Sequence, residues 1–318
     1  MSTGIRPLLV SVPTEQLVDD LTPAPDGAEV VLWDLSGDAP RERIDIVVPP
    51  YMNGDTPYDR LASVEPRLVQ GQSIGYEGVA EKLPQGLVFA NAATVHETST
   101  AELAVGLILA AQRRIDDFAV DTREGRWKPQ FTQSLADRRV LLIGYGGVGK
   151  AIAARLAPFE VEMTALARTA REEGGMEVHG IDELDALLPE AEIVVLSLPG
   201  GDETRGILDA RTLALLPDGA LVVNVGRGSL IDTDALVAET SSGRLRAALD
   251  VVDPEPLPEG HPLWATPGVL ISPHVGGASS AMRPRIAALV RRQIERMLAD
   301  EEPLNVVIGG GGADAASR

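Results

Sequence analysis

Residues 139–149 read Arg-Val-Leu-Leu-Ile-Gly-Tyr-Gly-Gly-Val-Gly, an apolar run of strand length that breaks into glycines. Gly144, Gly146 and Gly149 satisfy the spacing G-x-G-x-x-G, and each glycine has its own task. Gly144 makes the tight turn, Gly146 lets a pyrophosphate approach the backbone, and Gly149 allows close packing of a helix on the strand. A helix starting at Gly149 offers free N–H groups and a positive end to phosphates, so Tyr145, Gly147 and Val148 also fall against the cofactor. Three glycines among 32 could be a plain turn. The strand before, the helix after and a second strand at 162–167 favour dinucleotide binding. An NAD site needs an acidic residue where that second strand ends. The chain instead continues Arg168-Thr169-Ala170-Arg171, with Glu172 and Glu173 too late. Two arginines and a hydroxyl suit a 2′-phosphate, which takes bidentate, charge-assisted donors. A solvated basic turn is the alternative. NADP(H) is the preferred cofactor on this reading, with NAD(H) as the other option.

The same alternation extends in both directions. Upstream, β-type runs recur at 7–12, 29–35, 44–50, 67–70 and 87–90, with helical pieces at 14–21 and 59–63. Downstream lie strands at 193–198, 220–225, 247–251 and 269–272, helices at 181–188, 209–215 and 233–241, and a last long helix at 280–298. Strands alternating with helices predict an α/β chain of parallel sheets covered on both faces. Their continuous apolar character fits that burial. Between the two halves, Thr98, Ser99 or Thr100 could cap a helix with Glu102 in its first turn, ending near Arg113 and Arg114. Its broad apolar surface places it between domains. The segment 123–139 breaks the periodicity at Gly125 and Pro129 and reads as an irregular arm.

A chain of 318 residues has room for about two domains at ~150 residues each. It carries 28 Lys and Arg against 47 Asp and Glu, a formal charge of −19. Such a molecule repels a phosphate backbone and an anionic bilayer, which argues against nucleic-acid and membrane partners. Any bound anion needs cations concentrated locally, and Arg168, Arg171 and Arg227 are the candidates. Cysteine is absent and only four histidines occur, so thiolate sites and a His-rich metal site are not expected. The N-terminus is a poor signal peptide, and the apolar run at 103–111 is far short of the ~20 residues of a membrane span. A cytoplasmic location is expected. The last stretch, 309–318, has nothing to bury and is read as disordered.

Three later segments stand at strand ends, the edge where α/β sheets bind ligands. They are NVGRGSLID (224–232), LDVVDPEPLP (249–258) and SPHVGGAS (272–279), and they bring Arg227, Glu255 and His274. With the glycine turn, these motifs resemble the D-isomer-specific 2-hydroxyacid dehydrogenase family over nearly the whole chain. The resemblance implies a two-domain α/β fold, with two doubly wound parallel-sheet domains and a cleft between them. A flavodoxin-like substrate domain (1–97 and 284–308) would flank a Rossmann dinucleotide-binding domain (98–283). It further implies catalysis by Arg227, which binds the substrate carboxylate and polarises its carbonyl, and by His274 as general acid/base paired with Glu255. Asp250 would hold the nicotinamide carboxamide and Thr100 would lie against the phosphates. Leu198, Pro199, Thr204, Val225, Gly276 and Gly277 complete the implied cofactor contacts. Ile74 and Gly75 match the loop whose N–H groups cradle the substrate carboxylate, and Met52 lies among the substrate-side positions. A homodimer and a small anionic 2-keto or 2-hydroxy acid substrate, such as glyoxylate or hydroxypyruvate, are implied too.

The residue types fit this chemistry in their own right. Reduction of a 2-keto acid delivers a hydride to carbon while the oxygen gains charge and then a proton. A guanidinium stabilises that charge without losing its own proton. An imidazole beside a carboxylate donates the proton near neutral pH. Blander readings remain for several positions: Arg227 as a structural ion-pair partner, Asp250 as a strand-end cap, and Tyr145 as a cover for the sheet edge. His96 is read as lining the cleft with no assigned role, while His179 and His261 are read as surface residues. Trp127 in the arm fits a partner contact or core packing equally. Two other functions share the fold: oxidation of phosphite or a phosphonate acid, and a corepressor-like protein that binds a dinucleotide without turnover.

Overall fold

The computed structural model describes residues 6–52 and 54–309. The chain divides into two compact units. The first takes both chain ends, up to His96 and from Ser279 onward, and the second runs from Glu97 to Ala278. Most of the 309–318 tail lies outside the described residues.

The first unit begins with β1 (Leu8–Val12), β2 (Ala28–Leu32), β3 (Ile46–Val47), β4 (Leu68–Gln70) and β5 (Phe89–Ala90). These pair in the order 5-4-3-1-2, all parallel. Every residue of β1 is buried because the sheet is covered on both faces. Leu8, Val10 and Val12 pack with Leu17, Leu289, Val290 and Ile294, and Leu9 packs on the other face with Trp33, Leu35 and Leu61. Thr14 caps the helix Glu15–Asp20 by accepting from the Leu17 N–H at 3.3 Å. The 44–50 run narrows to the two residues of β3, and the 59–63 piece forms a 3-10 helix, Tyr58–Ser63.

The second unit contains β6 (Arg139–Ile143), β7 (Glu162–Leu166), β8 (Arg171–Glu173), β9 (Met176–His179), β10 (Ile193–Leu196), β11 (Leu221–Asn224), β12 (Arg246–Leu249) and β13 (Val269–Ile271). Their order is 13-12-11-10-6-7-9-8, parallel except for the β8–β9 pair. Strand order reverses at β6, which has β10 on one side and β7 on the other. The crevice at the carboxyl end of such a reversal is where open α/β sheets take ligands, and Gly144 stands there. The chain then returns to the first unit through the helix Met282–Leu298, and β14 (Val306–Ile308) closes that sheet antiparallel to β5.

Three local features depart from the sequence reading, two as changed expectations and one as an element it did not contain. The helix across 97–113 begins at Glu97, so Thr98, Ser99 and Thr100 lie in its first turn and do not cap it. Arg114, at φ 52°, starts a further helix, Ile115–Arg123, so the irregular arm begins only afterwards. That helix has no buried residue, and its charges, Asp116 and Asp117 first and Arg123 last, complement the helix dipole and stabilise it. The third feature is the β8–β9 hairpin, whose turn is Gly174-Gly175 with both φ angles positive. Gly-Gly between two extended runs is itself a hairpin signal. The strands it joins, Arg-Glu-Glu and Met-Glu-Val-His, are too polar for apolar periodicity to reveal them.

Candidate active site

The glycine turn follows β6 directly. Gly144 adopts φ 107°, and a Cβ there would lie 2.9 Å from the Leu198 nitrogen and Ser197 carbonyl carbon. A Cβ on Gly149 would come within 2.0 Å of the Gly144 oxygen. Both glycines are therefore fixed by the protein's own packing. Gly146 differs: its backbone is extended, with φ −85°, and a Cβ would meet nothing within 4 Å. Neither conformation nor internal packing requires glycine there, which leaves close approach by an external group as the physical reason. The helix Gly147–Leu156 starts with no side-chain cap, and its first intrahelical bond at this end runs from Lys150 N to Gly146 O at 2.9 Å. The N–H groups of Gly147, Val148 and Gly149 precede that bond. A helix start of this kind can seat a pyrophosphate, and the residues present fit a dinucleotide.

Around this turn the other expected contacts take different places. The Tyr145 ring is buried in the unit's core, so it covers the sheet, and its carbonyl accepts from Arg171 at 3.1 Å. Val225 and Thr100 are buried as well. Thr204 Oγ1 donates to the Pro199 carbonyl at 2.9 Å, shaping the loop that follows Leu198. Arg168 and Thr169 follow β7 and are exposed, and Arg168 pairs with Glu203 at 3.0 Å. Arg171 lies on β8, where Glu173 takes its charge at 2.9 Å while it bonds the glycine turn. Its position makes it a support of the turn.

The three later motifs converge within the second unit. Asn224, buried at the end of β11, donates to the Arg227 carbonyl at 2.8 Å and accepts from Gly226 N at 3.0 Å. The loop carrying Arg227 is thereby fixed. A Cβ on Gly228 would lie 1.9 Å from the Val252 oxygen, so this loop presses against the one carrying Glu255. Asp250, nearly fully buried, organises the third segment. Its carboxylate accepts from Ser272 Oγ at 2.6 Å, Val275 N at 2.9 Å and Gly276 N at 2.8 Å. Its carbonyl accepts from His274 N at 2.8 Å. These bonds hold His274 at φ 53°, a left-handed conformation rare for non-glycine residues. Asn224 and Ser272 were not foreseen from sequence. Their signal was available, since each is a hydrogen-bonding side chain at a strand end inside a functional segment.

His274 Nδ1 bonds Glu255 Oε1, and both side chains are partly exposed. The hydrogen bond to Glu255 raises the His274 pKa above its ordinary value. Burial opposes this, the charges of Glu255 and Asp250 assist it, and Arg227 opposes it. Burial pushes Glu255 up, but its bond to His274, the charges of His274 and Arg227, and the Val252 backbone leave it net lowered. Arg227 thus acts on both members of the pair. The unit brings Arg227, Asp250, Glu255 and His274 together, with an imidazole–carboxylate pair within the electrostatic reach of the arginine.

Met52, Ile74 and Gly75 belong to the first unit. Met52 is exposed at φ 50°. The Ile74 carbonyl accepts from Asn91 Nδ2, and Gln72 Nε2 donates to the Pro49 carbonyl, each at 2.8 Å. The loop after β4 is therefore anchored to its neighbours. His96 is buried in this unit, with Nε2 2.6 Å from the Gln72 carbonyl oxygen and its ring stacked on Tyr51.

A doubly wound sheet with a glycine turn at its reversal point, and an imidazole–carboxylate pair at the same carboxyl edge, defines an α/β nucleotide-dependent enzyme. Residues 105–276 match the family model "D-isomer specific 2-hydroxyacid dehydrogenase, NAD binding domain". A glyoxylate reductase from Thermococcus gammatolerans is 30% identical over 254 residues, 76% of each chain. Among solved structures, a D-isomer specific 2-hydroxyacid dehydrogenase from Xanthobacter autotrophicus, in complex with NADPH and MES, is 30% identical. It covers 95% of this chain and 98% of its own, with a TM-score of 0.81. An NADPH-dependent glyoxylate/hydroxypyruvate reductase from Sinorhizobium meliloti, in complex with NADP and malonate, is 28% identical. It covers 96% and 98%, with a TM-score of 0.78. The chain belongs to the D-isomer specific 2-hydroxyacid dehydrogenase family. It is an oxidoreductase that uses a nicotinamide dinucleotide.

Proposed function

We propose that this enzyme reduces small 2-keto acids to D-2-hydroxy acids with NADP(H) as the preferred cofactor and NAD(H) as the weaker one. The observation that carries the reading is the His274–Glu255 pair with the Arg227 charge acting on both. When bound, the nicotinamide supplies the hydride for C2. Arg227 binds the acid's carboxylate and draws charge onto the carbonyl oxygen. Protonated His274 donates from its other ring nitrogen to that oxygen, leaving the hydroxyl, and Glu255 keeps the imidazole oriented. The N–H groups of Ile74 and Gly75 are assigned to the carboxylate, and Met52 to the acid's side chain. A carboxylate offers about four acceptor sites. Asp250 has three of them engaged by the segment 272–276, which leaves one for a carboxamide N–H.

The NADP preference rests on Arg168 and Thr169 at the end of β7, where no acidic residue stands, and on the NADPH and NADP complexes of the relatives. The direct test is NADPH and NADH oxidation with glyoxylate, hydroxypyruvate and pyruvate. Turnover of at least one acid, faster with NADPH at limiting cofactor, is the expected result. Silence towards all three with NADPH bound would exclude the reading. No helix among the described residues is long and apolar enough to cross a membrane, in keeping with the proposed cytoplasmic location.

The proposed homodimer draws on the arm, where Trp127 and Phe131 are almost wholly exposed, beside Ile115 and Val120 on the preceding helix. Apolar side chains this exposed on one segment mark a protein contact. Trp127→Ser together with Phe131→Ser should convert a dimer to a monomer in sedimentation velocity. Sedimentation of the unaltered chain as a monomer would remove the proposal.

A further inference from the structure

We propose that Glu203 is a cofactor-selecting residue, a carboxylate that competes with the cofactor's 2′-phosphate for Arg168. This rests on the NADP reading above. Arg168 is the second residue beyond β7, and its guanidinium meets Glu203 Oε2 at 3.0 Å. Glu203 comes from the loop after β10, on the opposite side of β6 from β7. The pair therefore spans the strand that carries the glycine turn.

The second arginine of the segment serves differently. Arg171 is paired with Glu173 and bonded to the Tyr145 carbonyl, and Lys150 also binds Glu173. Arg168 is left as the guanidinium beyond β7 that meets a carboxylate from another loop. Both partners are well exposed, with side-chain accessibilities of 68% and 77%. An exposed pair of this kind is weak and screened by salt, so an incoming anion can take the arginine. A phosphate monoester carries roughly −1.5 to −2 at neutral pH against −1 for the carboxylate, with three acceptor oxygens. It is the stronger partner.

The backbone keeps Glu203 in range. Arg205 N bonds Gly201 O at 3.0 Å, Gly206 N bonds Ser229 O at 2.8 Å, and Thr204 Oγ1 bonds Pro199 O at 2.9 Å. With that loop fixed, a displaced carboxylate remains near the bound phosphate and repels it. Glu203 thereby moderates the preference that Arg168 creates and leaves the cofactor without a 2′-phosphate less disadvantaged.

The test is fluorescence titration of the full chain with NADPH and NADH, in the absence of any acid substrate. Unaltered protein, Glu203→Gln, Arg168→Ala and the double variant are compared at low and physiological salt. Glu203→Gln should tighten NADPH about three- to tenfold, leave NADH within about twofold, and lose part of its gain as salt rises. In the Arg168→Ala background the same change should gain clearly less, since competition for the arginine is gone and only direct repulsion of the phosphate remains to be relieved. If Arg168→Ala weakens NADPH but Glu203→Gln does not strengthen it, the competition is refuted while the phosphate seat stands. If Arg168→Ala leaves NADPH unchanged, the seat itself is wrong and the proposal fails with it.

Discussion

Replacing His274 by alanine should lower kcat for 2-keto acid reduction by about two to four orders of magnitude, the range general acid catalysis contributes. The dissociation constant for NADPH should stay within about threefold. The separation follows from how the loop is built. Asp250 grips the backbone of residues 274–276 and the Ser272 hydroxyl. None of those bonds uses the imidazole. The glycine turn and its helix lie elsewhere on the sheet edge and keep their N–H groups. Alanine at φ 53° is more strained than histidine or asparagine, which are enriched in this region, so a folding defect could imitate lost chemistry. His274→Asn removes that ambiguity, because asparagine tolerates the left-handed region and is no acid. Both variants should be equally slow and should melt close to the parent. A rate within a few-fold of the parent in either would take the histidine out of the mechanism.

Much of this was legible because the relevant signals are short in sequence. Gly144, Gly146 and Gly149 are tied to one strand and one helix, so their roles follow from local geometry. The apolar runs at β6, β10 and β11 are buried on both faces, and composition alone marks them. Long-range choices were not legible. Whether Arg168 or Arg171 is tied to the glycine turn depends on the β8–β9 hairpin, whose charged strands carry no apolar pattern. Whether Thr100 caps a helix or sits inside its first turn depends on where the chain leaves the first unit. The Tyr145 ring is set by the helix Glu97–Arg113 and the core around it. A residue pattern at 145 cannot show which way the ring turns. Asn224 and Ser272 were overlooked for a related reason: their value lies in partners two to 22 positions away.

Glu255→Gln should shift the pH dependence of catalysis as well as slow it, and the sign is fixed by the pair. Glu255 raises the His274 pKa through its hydrogen bond and its charge, while Arg227 works against it. Reduction needs the imidazolium, so reductive turnover falls as pH rises through the His274 pKa. Removing the carboxylate leaves burial and Arg227 as opposing influences, with only the Asp250 charge still in favour. The alkaline limb of the reductive profile must then move to lower pH. Oxidation of the hydroxy acid needs the neutral imidazole, so its acid limb moves the same way. A carboxylate that orients a catalytic histidine contributes about 10²–10⁴-fold. A loss of that size is expected at alkaline pH, with a smaller one at acid pH, where the imidazolium persists. Glu255→Asp, which keeps the charge on a shorter arm, should recover the pH limb more than the rate. A profile that keeps its alkaline limb in Glu255→Gln, whatever its height, would show that Glu255 does not tune the histidine.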